Sequence, residues 1–458
     1  MIKIDTLFIK IKGYVDRGGQ RSSLAKRNII GSFGLKFFDI VFEFALVPLS
    51  LSYLTQTSYG VWLTIYSLIN WFNFFDLGMS HGYRNKMAIA LGKGDVELAK
   101  SYTSTIYFTI GFISTLFLIL GLFIVEIINW RNILNVSNVS EHVLKTIMDL
   151  MIIYLSVNLT FRVISSIFLA KQMPVMSGMI NTATKLFIFI GLGLLLMFSE
   201  DSDLISYASL YLFTPIFVLT ILSIYFYTHE YRELVPSWNN FDKNLIGDLL
   251  GLGGKFFVIQ IGMTILFMSD NLIISKILGP AEVTPYQIAN KYFGVALMIF
   301  TILMSPFWSA ITDAYIKKDL RWIKNLIKKL NYGWMSVCIM VLIMFIFYNP
   351  VLKLWVGNKI NIPVLLACQW AIFVILQTLN QIYTYFLNGT GKLALQMWSN
   401  LFTVILNIPL SIYFAKNLGL GSTGVILATN ISILLYVILR KIQYHKIING
   451  TAKGVWAS

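Results

Sequence analysis

Gly31-Ser-Phe-Gly-Leu-Lys-Phe-Phe38 is answered 219 residues later by Gly251-Leu-Gly-Gly-Lys-Phe-Phe257. Each stretch opens a long apolar segment and sets one lysine, Lys36 or Lys255, inside it. A lysine in lipid is costly, so an ionisable residue within a membrane helix marks a functional position by default. The same oddity twice predicts one structural unit used twice around a polar centre.

The rest of the chain fits a membrane. Of its 458 residues 57% are hydrophobic and 12% charged, and the mean hydropathy is +0.72. Apolar segments of about 20 residues recur throughout, and in lipid such segments fold as helices because the backbone finds no water to bond. We read twelve spans, at about 28–53, 58–80, 102–126, 146–169, 176–198, 204–228, 249–275, 283–311, 331–349, 363–387, 395–416 and 421–440. The fold class is therefore all-α and polytopic. Residues 1–27 are polar and basic and do not read as a cleavable signal peptide. The two cysteines, Cys338 and Cys368, both fall in apolar segments, which leaves no basis for a disulfide framework or zinc site.

Lysine and arginine set the orientation. The side holding both termini carries 25 of the 36, the opposite side six, and five lie within spans. Both termini are expected in the cytoplasm. The net charge of +15 reflects this bias and contact with anionic lipid headgroups rather than nucleic-acid binding.

Two further matches support a duplication. Lys93-Gly-Asp-Val-Glu-Leu-Ala-Lys100 pairs with Lys317-Lys-Asp-Leu-Arg-Trp-Ile-Lys324, and Phe168-Leu-Ala170 with Phe386-Leu-Asn388. The first pair reads as amphipathic helices lying on the inner membrane surface. The expected organisation is a basic tail (1–27), an N-terminal six-helix lobe (28–228), a polar linker (229–248), a C-terminal six-helix lobe (249–440) and a second tail (441–458). Six spans per lobe make the repeat parallel, with its pseudo-two-fold along the membrane normal and the substrate site between lobes.

Charged residues inside the spans are the candidate site. Lys36, Asp39 and Glu43 point to about 0°, 300° and 340° around the first span, a single face. Arg162 and Lys185 each follow an asparagine by one turn, at Asn158 and Asn181. Asp270 and Lys291 lie in the seventh and eighth spans, as an ion pair between neighbouring helices or as transport residues. Lys36 and Lys255 sit about two turns from the cytoplasmic end, where snorkelling to the headgroups is the alternative. Five bases against three acids suit an anionic substrate: arginine forks onto phosphate oxygens, and lysine serves as a point charge. The expected substrate-binding set is Lys36, Arg162, Lys185, Lys255 and Lys291. The expected ion-coupling set is Asp39, Glu43 and Asp270. Two carboxylates one turn apart at low dielectric do not both stay ionised easily. Glu43, farther from Lys36 than Asp39 is, is the better proton carrier.

Tyr59-Gly-Val-Trp62, Phe75-Asp-Leu-Gly78 with Arg84, and Gly92-Lys-Gly-Asp95 resemble the N-terminal lobe of polysaccharide repeat-unit flippases. Asp270-Asn-Leu-Ile-Ile-Ser275, Leu278-Gly-Pro280, Tyr286-Gln-Ile-Ala289 and Leu354-Trp-Val-Gly357 extend the resemblance over about residues 25–445. These are the O-antigen, capsule and exopolysaccharide transporters of the multidrug/oligosaccharidyl-lipid/polysaccharide superfamily. The resemblance implies a bacterial inner-membrane protein with two six-helix bundles and an alternating-access cavity. Its implied substrate is an undecaprenyl-pyrophosphate-linked oligosaccharide, moved from the cytoplasmic to the periplasmic leaflet. The resemblance further implies drive by an H+ or Na+ gradient, with a polysaccharide polymerase and chain-length regulator as expected partners. No cofactor is expected, and the chain has no Gly-x-x-x-x-Gly-Lys-Ser/Thr loop for ATP.

Three other readings compete. A multidrug exporter of the same superfamily fits the excess of bases less well. A membrane polymerase, ligase or glycosyltransferase would need acid/base groups outside the membrane, where the loop at about 127–145 offers Glu141 and His142. A non-transporting scaffold leaves the duplicated polar centre without a reason.

Overall fold

The computed structural model describes residues 20–72, 79–136, 139–171, 173–199, 202–250, 269–304 and 317–457, with residues 307, 311, 314 and 315 between. Among these, every regular element is helical. Nine of the helices are long and apolar enough to cross a membrane, and they fall at nine of the twelve expected spans.

The described chain packs as two units. The first holds residues up to Leu49, those between Asn73 and Ile128, and those between Lys145 and Phe257. Its helices are α1 (Gln20–Tyr53, as far as Leu49), α3 (Met79–Gly92), α4 (Val96–Ile127), most of α6 (Glu141–Phe161), α7 (Val163–Ala170), α8 (Pro174–Phe198) and α9 (Leu204–Thr228). The second unit holds Ser50–Phe72, Asn129–Leu144 and the chain from Val258 onward. It contains α2 (Gln56–Phe72), the short α5 (Trp130–Leu134), helical residues 269–278, α10 (Val283–Met304), α11 (Leu320–Ile346), α12 (Tyr348–Val356), α13 (Val364–Thr390), α14 (Ala394–Ile412) and α15 (Gly421–Ile448). The division cuts α1 one residue after Pro48, where a proline removes a helix hydrogen bond. The packing units thus differ from the sequence halves: α2 and the 129–144 segment pack with the second half.

The duplication is visible in local geometry. At the end of α3 the Asp95 amide donates to Ala90 O at 3.0 Å and the Gly94 amide to Leu91 O at 3.1 Å. The Asp319 amide donates to Ala314 O at 2.9 Å and the Lys318 amide to Tyr315 O at 3.0 Å. Gly94 and Lys318 both adopt positive φ, +75° and +59°. The aspartate then caps the following helix: Asp95 accepts from the Leu98 amide at 3.0 Å, and Asp319 from the Trp322 amide at 2.9 Å. The segments read as separate surface helices are therefore the opening turns of α4 and α11. Each is continuous with its span because a capping aspartate satisfies the first amides.

Each unit has an apolar core at matching positions. Met87, Ala90, Ala99, Ile164, Phe168 and Phe226 in the first correspond to Ile311, Ala314, Ile323, Ile382, Phe386 and Tyr444 in the second. The ring pair Phe168–Phe226 meets edge-on at 4.8 Å, and Phe386–Tyr444 at 5.0 Å.

The stretch read as a polar linker packs on α4. The Ser237 amide donates to Ser104 Oγ and the Asp242 amide to Thr105 Oγ1, both at 3.1 Å. Trp238 meets Phe108 edge-on at 4.6 Å. Asp248 accepts from Tyr102 at 3.0 Å and pairs with Lys86 at 2.9 Å. That ammonium holds the Asp248 carboxyl below the usual carboxylate range.

Within the second unit, two of the quoted motifs meet. Gly60 of Tyr59-Gly-Val-Trp62 lies against the backbone of Leu278-Gly-Pro280, and a Cβ at Gly60 would sit 1.8 Å from the Pro280 carbonyl oxygen. Gln56 Nε2 donates to Ala281 O at 3.0 Å, and Thr284 Oγ1 donates to Gln56 O at 2.9 Å. Glycine is required there because the two backbones touch.

Candidate functional site

In the first unit the polar face of α1 meets α8. Spacings of three and four residues place Lys36, Asp39 and Glu43 on one face of α1, and a spacing of three aligns Thr182 with Lys185 on α8. Lys185 Nζ lies 2.9 Å from a Glu43 carboxylate oxygen and donates to the Asp39 carbonyl at 3.4 Å. Thr182 Oγ1 donates to Asp39 Oδ1 at 2.8 Å. Lys36 Nζ is 3.9 Å from Asp39 Oδ2. The Asp39 side chain is 7% exposed and that of Lys36 53%. The Lys36–Asp39 contact is long and open, of a kind worth little in itself. The Lys185–Glu43 contact is short and partly buried, so it is the stronger pair.

Asp39, Glu43, Lys36 and Lys185 are thus brought together. Pairing of Lys185 with Glu43 was not read from the sequence, since nothing in the chain says that the first and fifth spans are neighbours. Arg162, also in this unit, stands at the junction of α6 and α7. Its amide donates to Asn158 O at 2.9 Å, while its carbonyl accepts from the Ser165 amide at 3.0 Å, three residues on. The residue is exposed. Lys255 lies outside the described residues.

The second unit holds the other candidates. Asp270 is buried and accepts from the Tyr286 hydroxyl at 2.5 Å. Its Oδ1 has no hydrogen-bond partner among the described residues. Asn271 donates to Leu63 O at 3.2 Å and accepts from Gln287 at 2.6 Å. Gln287 in turn accepts from Asn290 at 3.2 Å, next to the partly buried Lys291.

One charged group was missed. Arg440 ends the twelfth expected span and is not among the five bases read within spans, but α15 runs on to Ile448 and Arg440 is 2% exposed. Its Nη1 donates to Asn380 Oδ1 at 2.7 Å and Thr384 Oγ1 at 2.6 Å, and its Nη2 to Asn400 Oδ1 at 2.8 Å. The available signal was a pair of asparagines inside predicted spans ten and eleven, each in need of a partner. The Arg440-Lys441 doublet resembled a membrane-flanking basic pair and hid it.

Outside the spans, Glu141 accepts from the Trp130 and Arg131 amides, both at 2.9 Å. This acid of the 127–145 loop closes the start of α5. Asp203, of the Asp201-Ser-Asp203 stretch, caps α9 through the Ile205 and Ser206 amides at 3.1 and 2.8 Å. Among the described residues, no group of three or more His, Cys, Asp or Glu is placed to hold a metal.

The family profile described as "Polysaccharide biosynthesis protein" matches residues 25–312, and the MatE profile matches 256–413. A Yersinia pseudotuberculosis protein named for O-antigen export is 22% identical over 399 residues, covering 85% of this chain and 89% of that one. A Salmonella typhi protein named for O-antigen transport is 22% identical over 287 residues, 61% of this chain and 63% of that one. A solved multidrug resistance MATE family transporter of the MOP superfamily, in its inward-facing conformation, superposes with a TM-score of 0.77 at 12% identity, covering 92% of this chain and 98% of that one. That last likeness is one of fold. With most of its first two thirds matched by one profile, and with charged residues set into membrane-length helices, the chain is a multi-pass membrane protein that belongs to the polysaccharide biosynthesis protein family.

Proposed function

We propose that the protein is a flippase. It moves a polyprenyl-pyrophosphate-linked oligosaccharide from the cytoplasmic to the periplasmic leaflet of a bacterial inner membrane, by ion-coupled alternating access. Both termini face the cytoplasm in this reading, and a polysaccharide polymerase with its chain-length regulator takes up the product. The observation that carries it is Lys185, a cation in a membrane-length helix held 2.9 Å from Glu43. Relatives named for O-antigen export and transport supply the substrate class.

Lys185 can serve two anions. In the structure it balances Glu43; with substrate present it engages the pyrophosphate. Glu43 then loses a counter-charge and takes up a proton or a sodium ion. Substrate loading and cation uptake are linked through one ammonium, and such linkage is reciprocal. Lys36, exposed beside Asp39, and Arg162, at its helix break, complete the phosphate-binding groups of the first unit. Asp270, Lys255 and Lys291 are assigned to the same cycle from the second half of the chain.

The test is leaflet transfer of an undecaprenyl-pyrophosphate glycan in vesicles, with and without proton or sodium gradients. Transfer that responds to a gradient and fails in Arg162→Ala, with partial recovery in Arg162→Lys, is the expected outcome. No transfer by the wild-type protein under any gradient overturns the reading. The MatE match over 256–413 favours a second reading, a multidrug exporter. Efflux of a cationic dye from the same vesicles, without glycan transfer, would decide for it.

A further inference from the structure

Arg440 belongs to the second unit and the α1–α8 cluster to the first, and the transport reading makes no use of Arg440. It is buried, and among the described residues its hydrogen bonds are to neutral groups: Asn380 Oδ1, Thr384 Oγ1 and Asn400 Oδ1. Tyr436 turns its ring toward the guanidinium, 5.0 Å from ring centre to Cζ. Burying a charge without a carboxylate is expensive, and a neutral side chain could join the same three helices at lower cost. The charge itself therefore requires a reason.

The three oxygens provide it. Thr384 gives its hydroxyl proton to Asn380 O at 2.8 Å, so its oxygen faces Arg440 as an acceptor. Asn380 donates its amide to Gln377 Oε1 at 3.2 Å, which turns its own Oδ1 toward Arg440. Asn400 Oδ1 closes the set from α14. Three oriented oxygen dipoles face one guanidinium, Asn380 Oδ1 and Thr384 Oγ1 at Nη1 and Asn400 Oδ1 at Nη2, and they repel one another unless a positive charge sits among them. The oxygens hold the guanidinium through its two terminal nitrogens alone, since Arg440 Nε has no hydrogen-bond partner among the described residues. Three neutral oxygens with a ring face suit a monovalent cation. A divalent ion would need carboxylates to offset its desolvation.

We propose that Asn380, Thr384 and Asn400 form a monovalent-cation site between α13, α14 and α15, and that this chain fills it with its own tethered guanidinium. A cation fixed by a covalent bond cannot exchange, so this part of the second unit carries its positive charge through every state of the protein.

Removing the tether should turn the cage into a site for free ions. Purified full-length Arg440→Ala is melted in sodium, potassium, guanidinium or choline chloride at equal millimolar ionic strength. The expected result is a saturable rise in Tm of a few degrees with at least one of the three small cations relative to choline, absent in the wild type. Adding Asn400→Leu to Arg440→Ala should abolish the rise. Identical melting in all four salts overturns the proposal, as does a cation-specific rise in the wild type. If Arg440→Ala does not accumulate, it is made by cell-free synthesis into vesicles with millimolar guanidinium or choline. Folded protein recovered with guanidinium alone supports the cage, and equal failure in both overturns it. Neither arm measures transport, so failure here leaves the flippase reading untouched, and the reverse holds too.

Discussion

At the scale of single residues, the decisive fact is that one ammonium serves two carboxylate-bearing turns of α1. Lys185 reaches Glu43 at 2.9 Å and the Asp39 backbone at 3.4 Å, while Thr182 takes one oxygen of Asp39. A pyrophosphate that competes with Glu43 for Lys185 should bind more tightly as the pH falls, because protonated Glu43 releases the lysine. Glu43→Gln should hold the affinity at its acidic-pH level across the range, and lose the response of transport to a proton gradient. Lys185→Ala should weaken binding roughly ten- to hundredfold, the scale of one lost charge-assisted hydrogen bond. Affinity for a fluorescent lipid-pyrophosphate, titrated against pH in both variants, checks these expectations. A wild-type pH profile surviving in Glu43→Gln would remove Glu43 from the linkage.

At the scale of elements, the two halves solve one problem in the same way. Asp95 and Asp319 end nearly identical turns and cap α4 and α11. Asp95→Ala and Asp319→Ala should each cost about 1 kcal/mol, the usual worth of a cap. The effects should add in the double variant, since the caps share no partner. Thermal melting of the three variants reads this directly. The contact of α2 with Pro280 is less forgiving. Any side chain at Gly60 collides with the Pro280 carbonyl, which belongs to backbone and cannot rotate away. Gly60→Val should lower stability by about 1–3 kcal/mol, as overpacking does, with loss of folded protein in the membrane. Normal yield and melting of Gly60→Val would mean that the two segments can part freely.

At the scale of the whole molecule, the repeated turn makes a prediction about sidedness. Lys93 and Lys317 occupy the same place in it, and both are exposed. A parallel repeat puts both turns on the side of the termini. Lys93→Cys and Lys317→Cys, introduced singly into a variant lacking Cys338 and Cys368, should react with an impermeant maleimide from the cytoplasmic side. Labelling of the two from opposite sides would refute a parallel repeat. The packing units add a feature that hydropathy cannot express. α1 is one helix of 34 residues, yet its packing changes partners just after Pro48.

The sequence by itself determined the class, the number and rough limits of most spans, and the duplication. Each of these is written in short-range pattern: lipid demands long apolar helices, and an aspartate at a helix start caps an amide two or three residues on. Leu204–Thr228 falls where hydropathy places it because a polar capping residue and a change of composition mark its ends. Tertiary structure alone decided which charges meet. Lys185 finds Glu43 because α8 lies along α1, and Gly60 finds Pro280 because α2 packs with the second unit; no local signal encodes either neighbour. Arg440 shows the limit most clearly. A basic residue near the end of an apolar run has the same sequence signature whether it faces headgroups or a cage of oxygens. Only the packing of α13, α14 and α15 around it settles which, since burial is a property of neighbours and not of the residue.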